Sequence, residues 1–222
     1  MEENTSTPTR GRKPKGQIKF KISLNEEQKQ AKSEIINHVY SFIKGEAGTG
    51  KTLIACQVAL DLVFRKEKEK IIITRPTVGT EDNGFLPGSL KEKMEPWIVP
   101  IKSNMLKLYD GKKIQSFYDE DVIEMISLSH FRGRTFDNAV CIVDEFQNLT
   151  RSQLQMAIGR LGQNSIMIFC GDKDQIDLKT KNDSAIHEVP KIEKSNYVYV
   201  QVLNENHRNE AVSEVLKLLN QY

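Results

Sequence analysis

The sequence predicts an α/β fold, a mostly parallel sheet with helices on both faces, and three observations carry that expectation. Short β-branched runs alternate with helical stretches, the order that yields a parallel sheet covered by helices. Most of the runs lack strict alternation of apolar and polar residues, as strands buried on both faces do. A glycine-rich turn follows the first run and opens an apolar helix, which aims a helix N-terminus at whatever the turn enfolds.

Taken in order, residues 1–16 hold Thr, Pro, Gly, Lys and Arg with almost no apolar side chain, so a flexible basic tail is expected there. The remainder, 17–222, is long enough for one core and short for two, and reads as a single domain. Strands are expected at Val39–Ile43, Ile71–Thr74, Val122–Leu128, Ala139–Val143, Ser165–Cys170 and Tyr197–Leu203. Helices are expected at Asn25–Asn37, Lys51–Arg65, Arg151–Leu161 and Ala211–Leu219. Between Leu53 and Phe64 only Gln57 and Asp61 are not apolar, which places that helix in the core. The stretch 78–121 has Pro87, Pro96, Pro100 and the single tryptophan but no clear strand, and reads as a helical insertion between two core strands.

Composition excludes several classes. With 38% apolar and 28% charged residues the chain is too apolar for disorder and too polar for a membrane protein. No apolar run approaches the roughly 20 residues of a spanning helix, and the start has no secretory pattern. Cys56, Cys141 and Cys170 lie in core-like runs and read as buried free thiols, so a reducing compartment, the cytoplasm, is expected. The net charge is only +2, but residues 1–24 alone carry +4, so the basic excess sits in the tail.

The chemistry is carried by two motifs. Gly45, Glu46, Ala47, Gly48, Thr49, Gly50, Lys51 and Thr52 match the phosphate-loop pattern G-x-x-x-x-G-K-[ST]. There the glycines let backbone N–H groups turn toward phosphate oxygens, Lys51 reaches the β and γ phosphates of ATP, and the Thr52 hydroxyl ligates Mg²⁺. The run Ala139–Val143 then ends in Asp144 and Glu145, at the strand end where open α/β sheets bind ligands. Hydrolysis needs one carboxylate to hold the metal and another to polarise the attacking water, roles that fall to Asp144 and Glu145. The bland alternative for the acidic pair is a cap at a helix start.

With these motifs in place, Asp144-Glu-Phe-Gln-Asn148 resembles motif II of superfamily 1 helicases. Leu24-Asn-Glu-Glu-Gln28 resembles their Q motif, which implies Gln28 as the reader of adenine. Gly171-Asp-Lys-Asp-Gln175 resembles motif III, which implies Gln175 as a γ-phosphate sensor. Leu203-Asn-Glu-Asn-His-Arg208 resembles motif IV, which implies that Arg208 meets the γ phosphate. Thr74-Arg-Pro76, Gly84-Phe-Leu-Pro-Gly88 and Arg132-Gly-Arg-Thr135, with the acidic motif, resemble the PhoH family of phosphate-starvation-inducible ATPases from about Leu24 to Asn209. Phe146 stands where that family has a small residue, and Phe169-Cys170 where it favours threonine.

The resemblance implies a P-loop NTPase of RecA-like fold, helicase-like, acting on RNA and forming homo-oligomeric rings. One lobe alone leaves the site short of an arginine, so a neighbouring subunit is expected to supply one, with Arg132 or Arg134 as candidates. A solvated basic turn is the alternative for both. Arg75 meets either a nucleic-acid phosphate or an acidic neighbour, and Phe85, Trp97 and Tyr109 either stack on bases or pack in the fold. Two functions stay open: an ATPase stimulated by RNA or single-stranded DNA, and a nucleotide-dependent switch or assembly factor. A small-molecule kinase fits less well, since Glu145 beside Asp144 suits water activation.

Overall fold

Every pairing in the central sheet is parallel, and this follows from helices separating the strands in sequence. The computed structural model describes residues 18–76 and 90–219. In chain order the main elements are α1 (Glu26–Asn37), β1 (Tyr40–Gly45), α2 (Lys51–Phe64), β2 (Lys70–Thr74), α3 (Leu90–Leu108), α4 (Gly111–Asp119), β3 (Ile123–Met125), β4 (Ala139–Asp144), α5 (Arg151–Ile158), β5 (Ile166–Gly171), α6 (Val189–Ile192), β6 (Val198–Leu203) and α7 (Glu210–Leu219). The six strands are ordered β3-β2-β4-β5-β1-β6.

All six expected strands form, with shifted ends. The run expected to reach Leu128 is a strand only over Ile123–Met125, because residues 128–131 turn into a short 3-10 helix that buries Leu128 and Phe131 instead. The helix expected to reach Leu161 stops at Ile158, before Gly159. Its start is set by a capping box, Thr150 with Gln153, and α1 starts on another, Asn25 with Gln28. The described part of the 78–121 insertion is α3 and α4. The basic tail at 1–16 and the Gly84–Gly88 motif lie outside the described residues.

The strands bury both faces, which is why their sequences do not alternate. Val140 and Ile142 of β4, with Ile166, Ile168 and Cys170 of β5, face the layer of α1, α2, α3 and α4. Their neighbours Cys141, Val143, Met167 and Phe169 face the layer of α5 and the 3-10 turns. Residues Ile54 to Val63 of α2 are buried without a break, as expected of a helix apolar all round. The three thiols are buried and free, and burial pushes the Cys141 thiol up to about 12, which leaves it unreactive near neutrality. Among the described residues no helix is long and apolar enough to cross a membrane.

The two apparent departures at Phe146 and Phe169 are one feature. Phe169 stacks on Phe42 at 4.4 Å between centroids, and Phe146 meets both rings edge-on at 5.4 and 5.8 Å. A Cβ on Gly171 would lie 2.6 Å from the Phe146 ring, so the close seat of that ring needs glycine there.

Asp61, one of the two polar exceptions in α2, ties α2 to α1. Its carboxylate meets Lys32 of α1 at 2.9 Å and Arg65 at 2.5 Å. Burial pushes this carboxyl up, yet the hydrogen bonds from Arg65 and Lys32 outweigh it and hold the pKa below the usual carboxylate range. A depressed folded pKa stabilises the fold above the unfolded value and is lost as pH falls through the folded one. Asp61→Asn is therefore expected to cost about 1 to 3 kcal/mol at neutral pH. In thermal melts the gap from the parent should hold down to about pH 4 and close below it.

Candidate active site

The parallel register brings the functional strand ends level. Asp144 pairs with Cys170 of β5, which pairs in turn with Ile43 of β1, so the phosphate loop and the acidic pair emerge from one sheet edge with β5 between them. Gly48 and Gly50 adopt left-handed φ values of +98° and +84°. Each is also crowded: a Cβ would lie 2.6 Å from Arg208 Cγ at Gly48 and 2.7 Å from Gln28 Nε2 at Gly50. The loop delivers the chain into α2, whose first turn carries Lys51 and Thr52.

Lys51 Nζ folds over the loop and donates to the carbonyls of Gly45 at 2.6 Å and Glu46 at 2.8 Å. Thr49 is buried, and its hydroxyl also donates to Glu46 O. The Thr52 hydroxyl donates to Asp144 Oδ1 at 2.8 Å. Burial, and then the neighbouring Glu145 charge, push the Asp144 carboxyl up to about 6, against the opposing Thr52 hydrogen bond and the charges of Arg75 and Lys51.

Glu145 sits on a left-handed backbone, φ 53° and ψ 41°, and is gripped from two sides. Its Oε2 accepts from Gln147 Nε2 at 2.7 Å, and its Oε1 lies 3.5 Å from the Arg75 guanidinium. Arg75 thus has the acidic neighbour. Gln147, fully buried, also donates to Gln175 O at 2.9 Å and accepts from Asp172 N at 3.1 Å, joining the β4 and β5 ends. The Gln175 side chain donates to Asp172 Oδ2 at 2.8 Å.

The segment after β6 closes the loop from above. Asn206 Nδ2 donates to Ala47 O at 3.2 Å, His207 N donates to Gly48 O at 3.1 Å, and Arg208 N donates to Asn206 Oδ1 at 2.9 Å. A cavity of about 670 Å³ is lined by Lys51, Thr52, Asp144, Glu145, Gln175 and Arg208 among others. That is room for a whole nucleotide.

Other expectations fare differently. Gln28 reaches the cavity, but its amide is occupied: Nε2 donates to Thr49 O at 3.1 Å and meets His207 Nε2 at 3.0 Å, and Oε1 accepts from Asn25 N at 3.2 Å. Its place in the α1 capping box is what directs it to the loop. Arg132 is exposed and Arg134 donates to Glu124 at 2.8 Å, and neither lines the cavity of its own chain. Burial pushes the Glu124 carboxyl up, but hydrogen bonds from Lys70 and Arg134 outweigh it and hold it low, so Arg134 is engaged rather than available. Tyr109 packs on Phe64 at 4.6 Å, a core contact. Phe85 and the Trp97 side chain lie outside the described residues.

Two residues of the site go beyond the sequence expectations. Gln147 is visible as the fourth position of the Asp144–Asn148 motif, and Asn206 lies within the Leu203–Arg208 run, whose expected contact was assigned to Arg208 alone. Among the described residues no group of three or more His, Cys, Asp and Glu could hold a metal alone. Mg²⁺ needs no such cage, since it uses one or two protein oxygens with phosphates and water. A buried carboxylate 2.8 Å from a hydroxyl, both lining the cavity, fits that requirement.

The family described as PhoH, PhoH-like protein, matches residues 21–220. A PhoH-like protein of Synechocystis is 39% identical over 160 residues, covering 72% of this chain and 49% of the relative. Protein PhoH of Escherichia coli is 37% identical over 160 residues, covering 71% and 45%. A PhoH-like protein of Bacillus subtilis is 42% identical over 135 residues, covering 60% and 42%. The chain therefore spans less than half the length of each of these relatives. Among solved structures it is similar to the Pif1 helicase from Candida albicans, at 17% identity and a TM-score of 0.48, covering 90% of this chain and 44% of that one. Similarity at that level adds nothing to the strand order given above.

Gln147→Leu removes three hydrogen bonds at once, including the one that orients Glu145. In steady-state ATP turnover it is expected to lower kcat roughly ten- to a hundredfold through misplacement of that carboxylate, with KM little changed.

Proposed function

The chain belongs to the PhoH-like family and has its P-loop ATPase fold, and from that premise we propose that it binds Mg-ATP and hydrolyses it, faster when RNA or single-stranded DNA is bound. The observation that carries the reading is the 2.8 Å contact from Thr52 to Asp144, which joins the phosphate loop to the acidic strand end across β5.

Thr52 and Asp144 are the residues that would hold Mg²⁺, which when bound neutralises charge on the β and γ phosphates. Lys51 exchanges its loop carbonyls for the β and γ oxygens of the substrate. Backbone N–H groups of the loop and the first turn of α2 face the same anion. Glu145, held at one oxygen by Gln147, orients and polarises the attacking water, and Gln175 and Arg208 complete the ring around the terminal phosphate. An arginine beside the transferred group stabilises charge in the transition state and is worth roughly 10³ to 10⁵ in rate where it is the limiting element.

A homo-oligomer is part of this proposal, with Arg132 exposed for a neighbour's site, whereas Arg134 would first have to leave Glu124. The pair between Arg75 and Glu145 supports a physical link between strand binding and turnover. A phosphodiester that draws Arg75 away would alter the field at the water-activating carboxylate.

Glu145→Gln is expected to lower kcat about 10² to 10⁴-fold while ATP still binds, because the amide cannot take a proton. Turnover measured with and without poly(U) or oligo(dT) should rise with either polymer, and the rise should fade steeply with added salt. Indifference to both polymers at low salt would leave the nucleotide-dependent switch as the better reading. Arg75→Ala is expected to bring the ratio of stimulated to unstimulated rate toward one.

A further inference from the structure

One wall of the cavity belongs neither to the phosphate loop nor to the acidic strand end. Ile22 and Ser23, just before α1, and Asn104 and Lys107 of α3 line it. The two halves of this wall are tied together by Lys21 N donating to Leu108 O at 2.9 Å and by Lys21 Nζ donating to Tyr109 O at 3.0 Å. Its orientation is set by packing. Ile101, Met105 and Leu108 of α3 are fully buried in the core shared with α2, which turns the adjacent stripe of Asn104 and Lys107 to the cavity.

The triphosphate is accounted for by Lys51, Thr52 and the loop, but the nucleoside is not. Bidentate recognition of an adenine edge needs an N–H donor and an acceptor side by side. Gln28 also lines the cavity, but both of its amide hydrogens are directed at Thr49 O and His207 Nε2 and would have to be released before it could donate to a base. The carbonyl of Thr49 identifies which end of that amide is nitrogen, so turning the group over would set two oxygens against each other. Asn104 has the required pair of groups, is half-buried on a helix fixed by the core, and makes no hydrogen bond among the described residues. Ile22 offers an apolar surface for the face of a ring.

We propose that the insertion helix α3 supplies the nucleobase end of the nucleotide site, with the Asn104 carboxamide hydrogen-bonding the adenine edge and Ile22 packing against its face. The proposal rests on the assignment of this cavity to ATP. Asn104 is then a specificity-determining residue for the base, lying within a segment inserted between β2 and β3 and outside the motifs that handle the phosphates.

The test compares ATP, GTP and inorganic tripolyphosphate on the full chain by calorimetry, in parent and Asn104→Ala. Alanine is the better helix former, so the variant keeps α3 intact. The expected result is ATP affinity reduced about tenfold, the size of one lost base-reading pair, a flattened preference for ATP over GTP, and unchanged tripolyphosphate affinity. Unchanged ATP affinity, or equal losses for ATP and tripolyphosphate, overturns the proposal. Tripolyphosphate bound by the parent with no turnover of ATP would refute hydrolysis while leaving the role of Asn104 decided by the same titrations.

Discussion

The site depends on one constraint of sheet geometry: β1 and β4 are not neighbours, and β5 runs between them in the same direction. Because all three strands are parallel, their carboxyl ends lie level, and the loop after β1 faces the carboxylates after β4 across the width of one strand. The hydroxyl of Thr52 spans that gap to Asp144. Strands of opposite direction would put the two motifs at opposite edges of the sheet, where no single nucleotide could touch both.

Around that constraint the polar groups are organised as a chain of occupied partners. Gln147 holds Glu145 and the turn after β5 together, and it can do so because it is fully buried and water does not compete for its amide. Gln28 caps α1 and supports the loop, and the segment from Asn206 to Arg208 is stitched to the loop by backbone and amide hydrogen bonds. The loop is thus braced from α1 on one side and from the end of β6 on the other. Such bracing holds the loop in one shape before a ligand arrives, which lowers the ordering cost of binding.

Much of this was legible in the residues. The phosphate loop and the Asp144–Glu145 pair are contiguous motifs whose chemistry is local, and the six strand runs are marked by β-branched composition. The strand at Ile123–Met125 was harder, because Leu128 and Phe131 are as apolar as strand residues but are buried by a 3-10 turn. Arg75 and Arg134 were ambiguous for another reason. A guanidinium at a strand end accepts any nearby anion, and which one it meets depends on strands far apart in sequence: Glu145 for Arg75 and Glu124 for Arg134.

By itself the sequence determined the family, the α/β class, the glycine-rich loop pattern and the position of the two carboxylates, since each rests on residue type and short-range spacing. Only the tertiary structure decided the strand order, the contact of Gln28 with the loop, the grip of Gln147 and Arg75 on Glu145, and the arrival of α3 at the cavity beside that loop. Apart from the local Gln147–Glu145 bond, itself fixed by the distant Gln175 and Asp172, these are contacts between residues tens of positions apart, and their partners are selected by burial and packing direction, which no local pattern encodes.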